Sequence, residues 1–233
     1  MRFNSDQIQK IGKEISSKVD GKTLFDEFSR GRYSTDASVY QIKPLGVVLP
    51  KDTNDVLSLM EYSQKNSVPL LARGGGSSQC GQTVGESVVL DYSKHQNKIL
   101  ELNVEEKYVW VQPGVVLDHL NAYLKPHGLW FPVDVSTSSR ATIGGMSANN
   151  SCGSRSLYYG NMVHNVLAIE AILDDGSIFQ FDQINKNYLA TKNNQDRLYK
   201  IIDKFIDVRQ KVGSEIDANW PTTQRRVGGY NID

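Results

Sequence analysis

Three adjacent glycines, Gly74, Gly75 and Gly76, stand between Arg73 and the pair Ser77-Ser78, directly after the apolar run VPLLA. Glycine has no Cβ to forbid positive φ, so successive backbone N–H groups there can turn inward on one anion. Ser77 and Ser78 add hydroxyl donors, and Arg73 adds a permanent positive charge. This set of donors suits a pyrophosphate. A flexible surface turn would need only the glycines. The arginine before them, the serines after them and the apolar strand leading in favour a phosphate cradle. Two other nucleotide loops are excluded, because GGGSSQ lacks the G-x-G-x-x-G spacing and no Gly-Lys-Ser/Thr follows.

A second chemical segment runs from Pro132 to Gly160, PVDVSTSSRATIGGMSANNSCGSRSLYYG. It is richer in small and hydroxylated residues than a connector requires, and longer. Thr142, Gly144 and Gly145 would let a flat ring system approach the backbone closely. The alternative is an exposed serine-rich linker. The bracketing pairs Trp130-Phe131 and Tyr158-Tyr159 suggest packing instead. The four histidines, His95, His119, His127 and His164, have no partners at metal-ligand spacing, so no metal site is expected. His119 is read as a solvated helix residue, His127 as a turn residue, and His164 as structural. Cys80 and Cys152 form neither a CxxC pair nor a disulfide framework. No nucleophile and base are paired, so the catalytic residues stay unknown.

The elements that must position these loops alternate strand and helix. The N-terminal stretch predicts a helix with Ile8, Ile11 and Ile15 on one face, then an irregular segment, FSRGRYSTDASVY. LGVVLP is a short strand, after which Asp52 or Thr53 can cap a helix bearing Val56, Leu57 and Met60. VPLLARGGG and SVVLDYS supply two further strands, the rhythm of a small α/β unit. The pattern then changes. EKYVWVQPG alternates like a two-faced strand, and Leu117, Leu120 and Leu124 make one helical stripe stopped at Pro126 and Gly128. VLAIEAILDDGSIFQF reads as a hairpin with an Asp-Gly turn. Leu198, Ile201, Ile202, Phe205 and Val212 mark an amphipathic helix. NWPTTQRRVGGYNID carries no stopping element, and the chain is expected to be interrupted before a further domain.

Over the whole chain, 26 basic residues balance 26 acidic ones. A neutral chain has no broad positive field to gather phosphate backbones, which argues against nucleic-acid partners. The polar start, MRFNSDQIQKIGKEI, lacks a signal peptide's apolar core, and no run is long enough to span a bilayer. The expectation is a cytoplasmic protein, peripheral to a membrane at most through a partner.

Taken in order, several of these stretches resemble the FAD-binding domain of the p-cresol methylhydroxylase and vanillyl-alcohol oxidase superfamily. VPLLARGGGSSQCGQTVG resembles its first pyrophosphate loop, VVLDYSKHQNKILELN the strand and turn that follow, and VQPGVVLDHLNAYLKPHGLWFPVDVS the approach to the second loop. TIGGMSANNSCGSRSLYYGNMVHNVLAIEAILDDG resembles the long FAD-contacting segment. Within the superfamily the likeness is greatest to D-lactate dehydrogenases and the flavoprotein subunit of glycolate oxidase. The resemblance implies an α+β fold with two subdomains, a small α/β unit and a larger, mainly antiparallel one, with FAD between them. It implies a lead-in at 1–39, an FAD-binding domain at 40–183 divided near 95 and 96, and a helix and junction at 184–233 leading to an absent substrate domain.

Carried over by position, Arg73, Gly74, Gly75, Gly76, Ser77, Ser78 and Gln82 would line the pyrophosphate. Pro132, Asp134, Thr142, Gly144, Gly145, Ala148, Asn150 and Gly153 would lie along the flavin and ribityl chain, and Val166 would meet the adenine end. Arg225 and Arg226 are candidates for substrate contact. The family often has Thr where Ser77 stands, and the Arg-Asp-His-like stretch before the late strand is here Val163-His164-Asn165. The first loop has no histidine for a covalent flavin link, which implies noncovalent FAD. The implied activity is oxidation of a 2-hydroxy acid such as D-lactate or glycolate, with an iron–sulfur domain or subunit as a possible electron acceptor. Two alternatives stay open: an enolpyruvyl-sugar reductase of the same fold using FAD and NADPH, and a non-catalytic FAD-binding module.

Overall fold

The structure, a computed structural model, describes residues 3–184 and 195–223. Its first helix, α1 (Ser5–Ser16), starts at a reciprocal cap: Gln7 N donates to Asn4 Oδ1 at 2.9 Å and Asn4 N to Gln7 Oε1 at 2.8 Å. Ile8, Ile11 and Ile15 are buried, as their spacing predicts. Strand β1 (Lys22–Leu24) follows, then a six-residue helix, α2 (Glu27–Arg32). Most of α2 lies in the segment expected to be irregular. Asp26 caps it, but only Ser29 and Arg30 of the helix are buried, so no apolar period announces it.

Strand β2 (Gly46–Leu49) leads to α3 (Thr53–Asn66), capped by Asp52, whose carboxylate accepts from the N–H groups of Asn54 and Asp55. Strands β3 (Leu70–Arg73) and β4 (Val88–Asp91) complete a four-stranded sheet of order β1-β2-β4-β3. β2, β4 and β3 run parallel, and β1 closes one edge antiparallel. All four residues of β2 and of β4 are buried, the continuous apolar pattern of central parallel strands. Val48, Val88 and Leu90 pack under α1 and α3 with Ile15, Leu59 and Tyr62, while Val47, Leu49 and Val89 form a smaller cluster on the opposite face.

The second half is antiparallel. β5 (Ile99–Asn103) and β6 (Tyr108–Val111) pair with a register shift between Ile99 and Glu101. Helix α4 (Leu117–Leu124) buries Leu117, Leu120 and Leu124 and ends in a 3₁₀ turn at Lys125–His127, closed by Gly128 at φ +70°. The long small-residue segment folds into short helices, α5 (Ile143–Ala148) and α6 (Ser156–Tyr159), with α7 (Met162–Asn165) after it. It is packed, with Ala141, Met146 and Met162 buried against Leu117 and Val133. β7 (Ile169–Ile172) and β8 (Ile178–Phe181) form the expected hairpin, with a connection closed by Leu173 N on Ser177 O. Gly176 takes φ +81° there, as a three-residue hairpin loop requires. The last helix, α8 (Arg197–Asn219), is tied to this hairpin by Arg197, which pairs with Asp174 and Asp175. The small parallel unit, the antiparallel pairs and the helices between them are the α+β architecture expected.

Candidate functional site

The parallel strands β3 and β4 end level, with Arg73 opposite Asp91, and the glycine loop leaves from that end. Ligands of open parallel sheets gather beyond the strands' carboxyl ends, so the loop stands where a ligand is expected. Among the described residues, none accepts a hydrogen bond from the backbone N–H of Gly74, Gly75, Gly76, Ser77 or Ser78. The loop is half-buried to exposed, so these five consecutive donors are open to water or to a ligand. Gly76 takes φ +64°, the left-handed step that bends such a run into an anion-binding concavity.

Around this loop the side chains do more than the sequence suggests. Arg73 donates through Nη1 to Thr83 O at 3.2 Å and through Nη2 to Thr35 O at 2.9 Å. Its guanidinium lies 5.2 Å from the centre of the Tyr33 ring, and Tyr33 Oη donates to Asp91 Oδ2 at 2.7 Å. Arg73 therefore shapes the loop as well as charging it. Ser78 Oγ is bonded to Gln82 Oε1 and accepts from Cys80 N, so these two predicted residues brace the loop's far side.

The second segment meets the first directly. A methyl group placed on Gly74 would lie 2.1 Å from Thr142 Oγ1, and one on Gly75 would lie 2.1 Å from Arg140 O. Only glycine permits this approach. Thr142 caps α5, its Oγ1 accepting from Gly145 N at 3.3 Å, and Gly144 N donates to Pro113 O at 2.9 Å. Thr142 is thus brought against the glycine loop, with Gly144 and Gly145 in the turn that it caps.

The remaining predicted positions lie further along the same segment. Asp134 clamps the chain at Gly153: Arg155 N donates to its Oδ1 at 2.9 Å and Ser154 Oγ to its Oδ2 at 2.7 Å. Burial pushes the Asp134 carboxyl up, but the bonds from Ser154 and Arg155 outweigh it and hold it below the usual carboxylate range. Asn150, at φ +44°, accepts from Val163 N, and Ala148 is exposed at the end of α5. Pro132 lines a cleft of about 490 Å³ with Tyr108, Trp130, Phe131 and Tyr159. Val166 is half-buried against the Leu117–Met162 cluster. His164 Nδ1 accepts from Asn161 N at 3.0 Å in a reciprocal cap of α7, a structural role. His119 and His127 are exposed, and Cys80 and Cys152 are unpaired thiols. Arg225 and Arg226 lie outside the described residues.

One part of the site escaped the sequence reading, the segment from Tyr33 to Ser38. Asp36 Oδ2 accepts from Thr83 Oγ1 at 3.0 Å and Thr83 N at 3.4 Å, and its Oδ1 accepts from Ser38 N at 2.8 Å. Burial raises its pKa, but the bonds from Ser38 and Thr83 leave it below the ordinary value. Ala37 N donates to Gly76 O at 3.1 Å. Nothing in YSTDAS distinguishes these contacts from a polar surface loop.

Comparison with known proteins bears on this geometry. Residues 44–182 match a family model described as an FAD binding domain. A D-2-hydroxyglutarate dehydrogenase of Haemophilus influenzae is 42% identical over 209 residues, covering 85% of this chain and 20% of its own length. The glycolate oxidase subunit GlcD of Bacillus subtilis is 36% identical over 178 residues, covering 74% of this chain and 38% of its own. The chain spans about a fifth of the length of the D-2-hydroxyglutarate dehydrogenases it matches. In fold it is similar to alkyldihydroxyacetonephosphate synthase, with a TM-score of 0.65 at 20% identity over 79% of this chain and 36% of that one. It is also similar to p-cresol methylhydroxylase, with a TM-score of 0.61 at 18% identity over 76% of this chain and 36% of that one.

Proposed function

Because the chain belongs to the FAD-binding domain family, we propose that its glycine loop and the Thr142–Gly145 turn together hold one noncovalent FAD for the oxidation of a 2-hydroxy acid. The observation that carries this reading is the run of five N–H groups from Gly74 to Ser78 without a protein acceptor, with Thr142 packed against its first residue. The donors fit the cofactor chemically. A pyrophosphate brings several acceptor oxygens and two negative charges, and backbone N–H groups satisfy them without burying a second unpaired charge. Arg73, Ser77, Ser78 and Gln82 border the phosphates. Pro132, Asp134, Thr142, Gly144, Gly145, Ala148, Asn150 and Gly153 follow the ribityl chain and ring, and Val166 meets the adenine end.

When bound, FAD accepts a hydride equivalent from the substrate's CH–OH carbon. This chain's residues bind and orient the cofactor. The relatives named above are a D-2-hydroxyglutarate dehydrogenase and a glycolate oxidase subunit, and both names fit a 2-hydroxy acid substrate. Residues 184–233 supply a helix and the junction to a substrate domain, and Arg225 and Arg226 are candidate carboxylate contacts there. The remaining length of such relatives leaves room for that domain and for an iron–sulfur electron acceptor. No helix among the described residues is long and apolar enough to cross a membrane. The proposed setting is cytoplasmic, with any membrane association made through a partner.

Anaerobic mixing with D-2-hydroxyglutarate, D-lactate or glycolate tests this reading. The flavin of a chain extended to the relatives' length should bleach with one of them. The 233-residue chain should bind FAD without turnover, since positioning the substrate carbon at the flavin supplies several kcal/mol of barrier reduction that a flavin domain alone does not provide. Acid precipitation should leave the flavin in the supernatant. Bleaching of the short chain would misplace the active site. Colour left in the pellet would indicate a covalent link, with Cys152 the first suspect.

A further inference from the structure

We infer that residues 33–38, which precede the family-matched segment, buttress the glycine loop, and that Asp36 is a positioning residue for the FAD phosphates; this rests on the flavin reading above. Three contacts set the loop from one side. Ala37 N donates to Gly76 O. The described peptide bonds are all trans, and a planar trans peptide places its C=O and the following N–H on opposite sides. Holding the Gly76 carbonyl toward Ala37 therefore turns the Ser77 N–H away from it, into the concavity. Tyr92 N does the same at the loop's start by engaging Arg73 O, which turns the Gly74 N–H inward.

Asp36 holds the far end. Its Oδ2 takes both the hydroxyl and the amide of Thr83. Arg73 joins the two ends, with Nη1 on Thr83 O and Nη2 on Thr35 O. The segment is itself anchored: Ile42 N donates to Ser34 O at 2.8 Å, Thr35 bridges to Gln41, and Tyr33 is bonded to Asp91. A glycine-rich loop left alone would be ordered only when the phosphates arrive, at a cost in affinity. Bonds from Thr35, Asp36 and Ala37 move that ordering into folding.

The test uses the 233-residue chain, titrated with FAD by fluorescence and examined without flavin by hydrogen–deuterium exchange. Asp36→Ala should weaken FAD binding by about tenfold, the effect of losing a charge-assisted bond. The apo-protein should stay folded with a lowered thermal midpoint, and deuterium uptake should rise in the peptide spanning 74–83 while the peptides of α3 and β4 stay protected. Thr83→Val should weaken binding several-fold, Thr83→Ser should restore it, and Asp36→Ala/Thr83→Val should be no worse than Asp36→Ala, because the two groups share one interaction. If the variants bind FAD as tightly as the wild type, or if their losses simply add, the buttress is refuted. A wild type that binds no FAD refutes the flavin reading beneath it instead.

Discussion

Gly75 is the residue at which the account is most exposed. Its missing Cβ makes room for the carbonyl of Arg140, a backbone atom that cannot rotate aside. At Gly74 the atom in the way is a side-chain hydroxyl, Thr142 Oγ1, held in the cap of α5. Gly75→Ala should therefore cost more than Gly74→Ala, roughly 1–3 kcal/mol of stability from overpacking together with about tenfold or more in FAD affinity. Urea denaturation and flavin titration measure the two separately. Equal tolerance of both substitutions would mean that the loops do not meet as described. The close packing at these glycines was legible only in company, from the arginine before them, the serines after them and the apolar strand leading in, because three glycines alone also suit a surface turn. Arg73 was half legible. Its charge beside the glycines is plain, but its bonds to the carbonyls of Thr35 and Thr83 depend on a distant segment with no motif. His164 reads correctly as structural, although its partner Asn161 could not be named beforehand.

The parallel unit depends on a carboxylate that no motif marks. Asp55, buried in the first turn of α3, accepts from the backbone N–H groups of Asp20 at 2.7 Å, Gly21 at 2.9 Å and Lys51 at 2.7 Å. It joins the turn before β1 to the end of β2, and so fixes the edge of the sheet. Asp55→Ala should destabilise the chain by about 1–3 kcal/mol, since three backbone donors lose the one charged, buried acceptor that joins them. Asp55→Asn, which keeps one acceptor, should cost less. A chemical denaturation midpoint unchanged in Asp55→Ala would show the clamp to be idle. The elements themselves were mostly readable: α1, α3, α4, α8, the parallel strands and the late hairpin each carry a clear apolar period. α2 and the short helices α5, α6 and α7 were not. They are four to six residues long and held by caps and local packing, and a window of that length contains no full helical period.

Over the whole molecule the tyrosines set an alkaline limit. Burial, with Asp91 accepting its hydroxyl, pushes Tyr33 up to about 12. Burial alone pushes Tyr92 up to about 12, and burial with a bond to Glu14 raises Tyr62 as well. Each folded-state value lies above the ordinary 10.0, so the stability these groups contribute is whole below pH 10 and is lost as pH rises from 10 toward 12. Tyr33→Phe should remove Tyr33's share of that loss, since the ring stays beside Arg73 but carries no titratable hydroxyl. Thermal midpoints between pH 8 and about 11 follow it directly. The central claim concerns the phosphates, and comparing FAD with riboflavin by calorimetry tests it most directly. Riboflavin has the ring and ribityl chain but neither the phosphates that meet the N–H groups of Gly74–Ser78 nor the adenosine, so the change of the ratio in Gly75→Ala isolates the phosphate part. The account predicts binding about a hundredfold or more weaker than that of FAD, a ratio that shrinks in Gly75→Ala. Riboflavin binding as tight as FAD would place the pyrophosphate outside the glycine loop and contradict it.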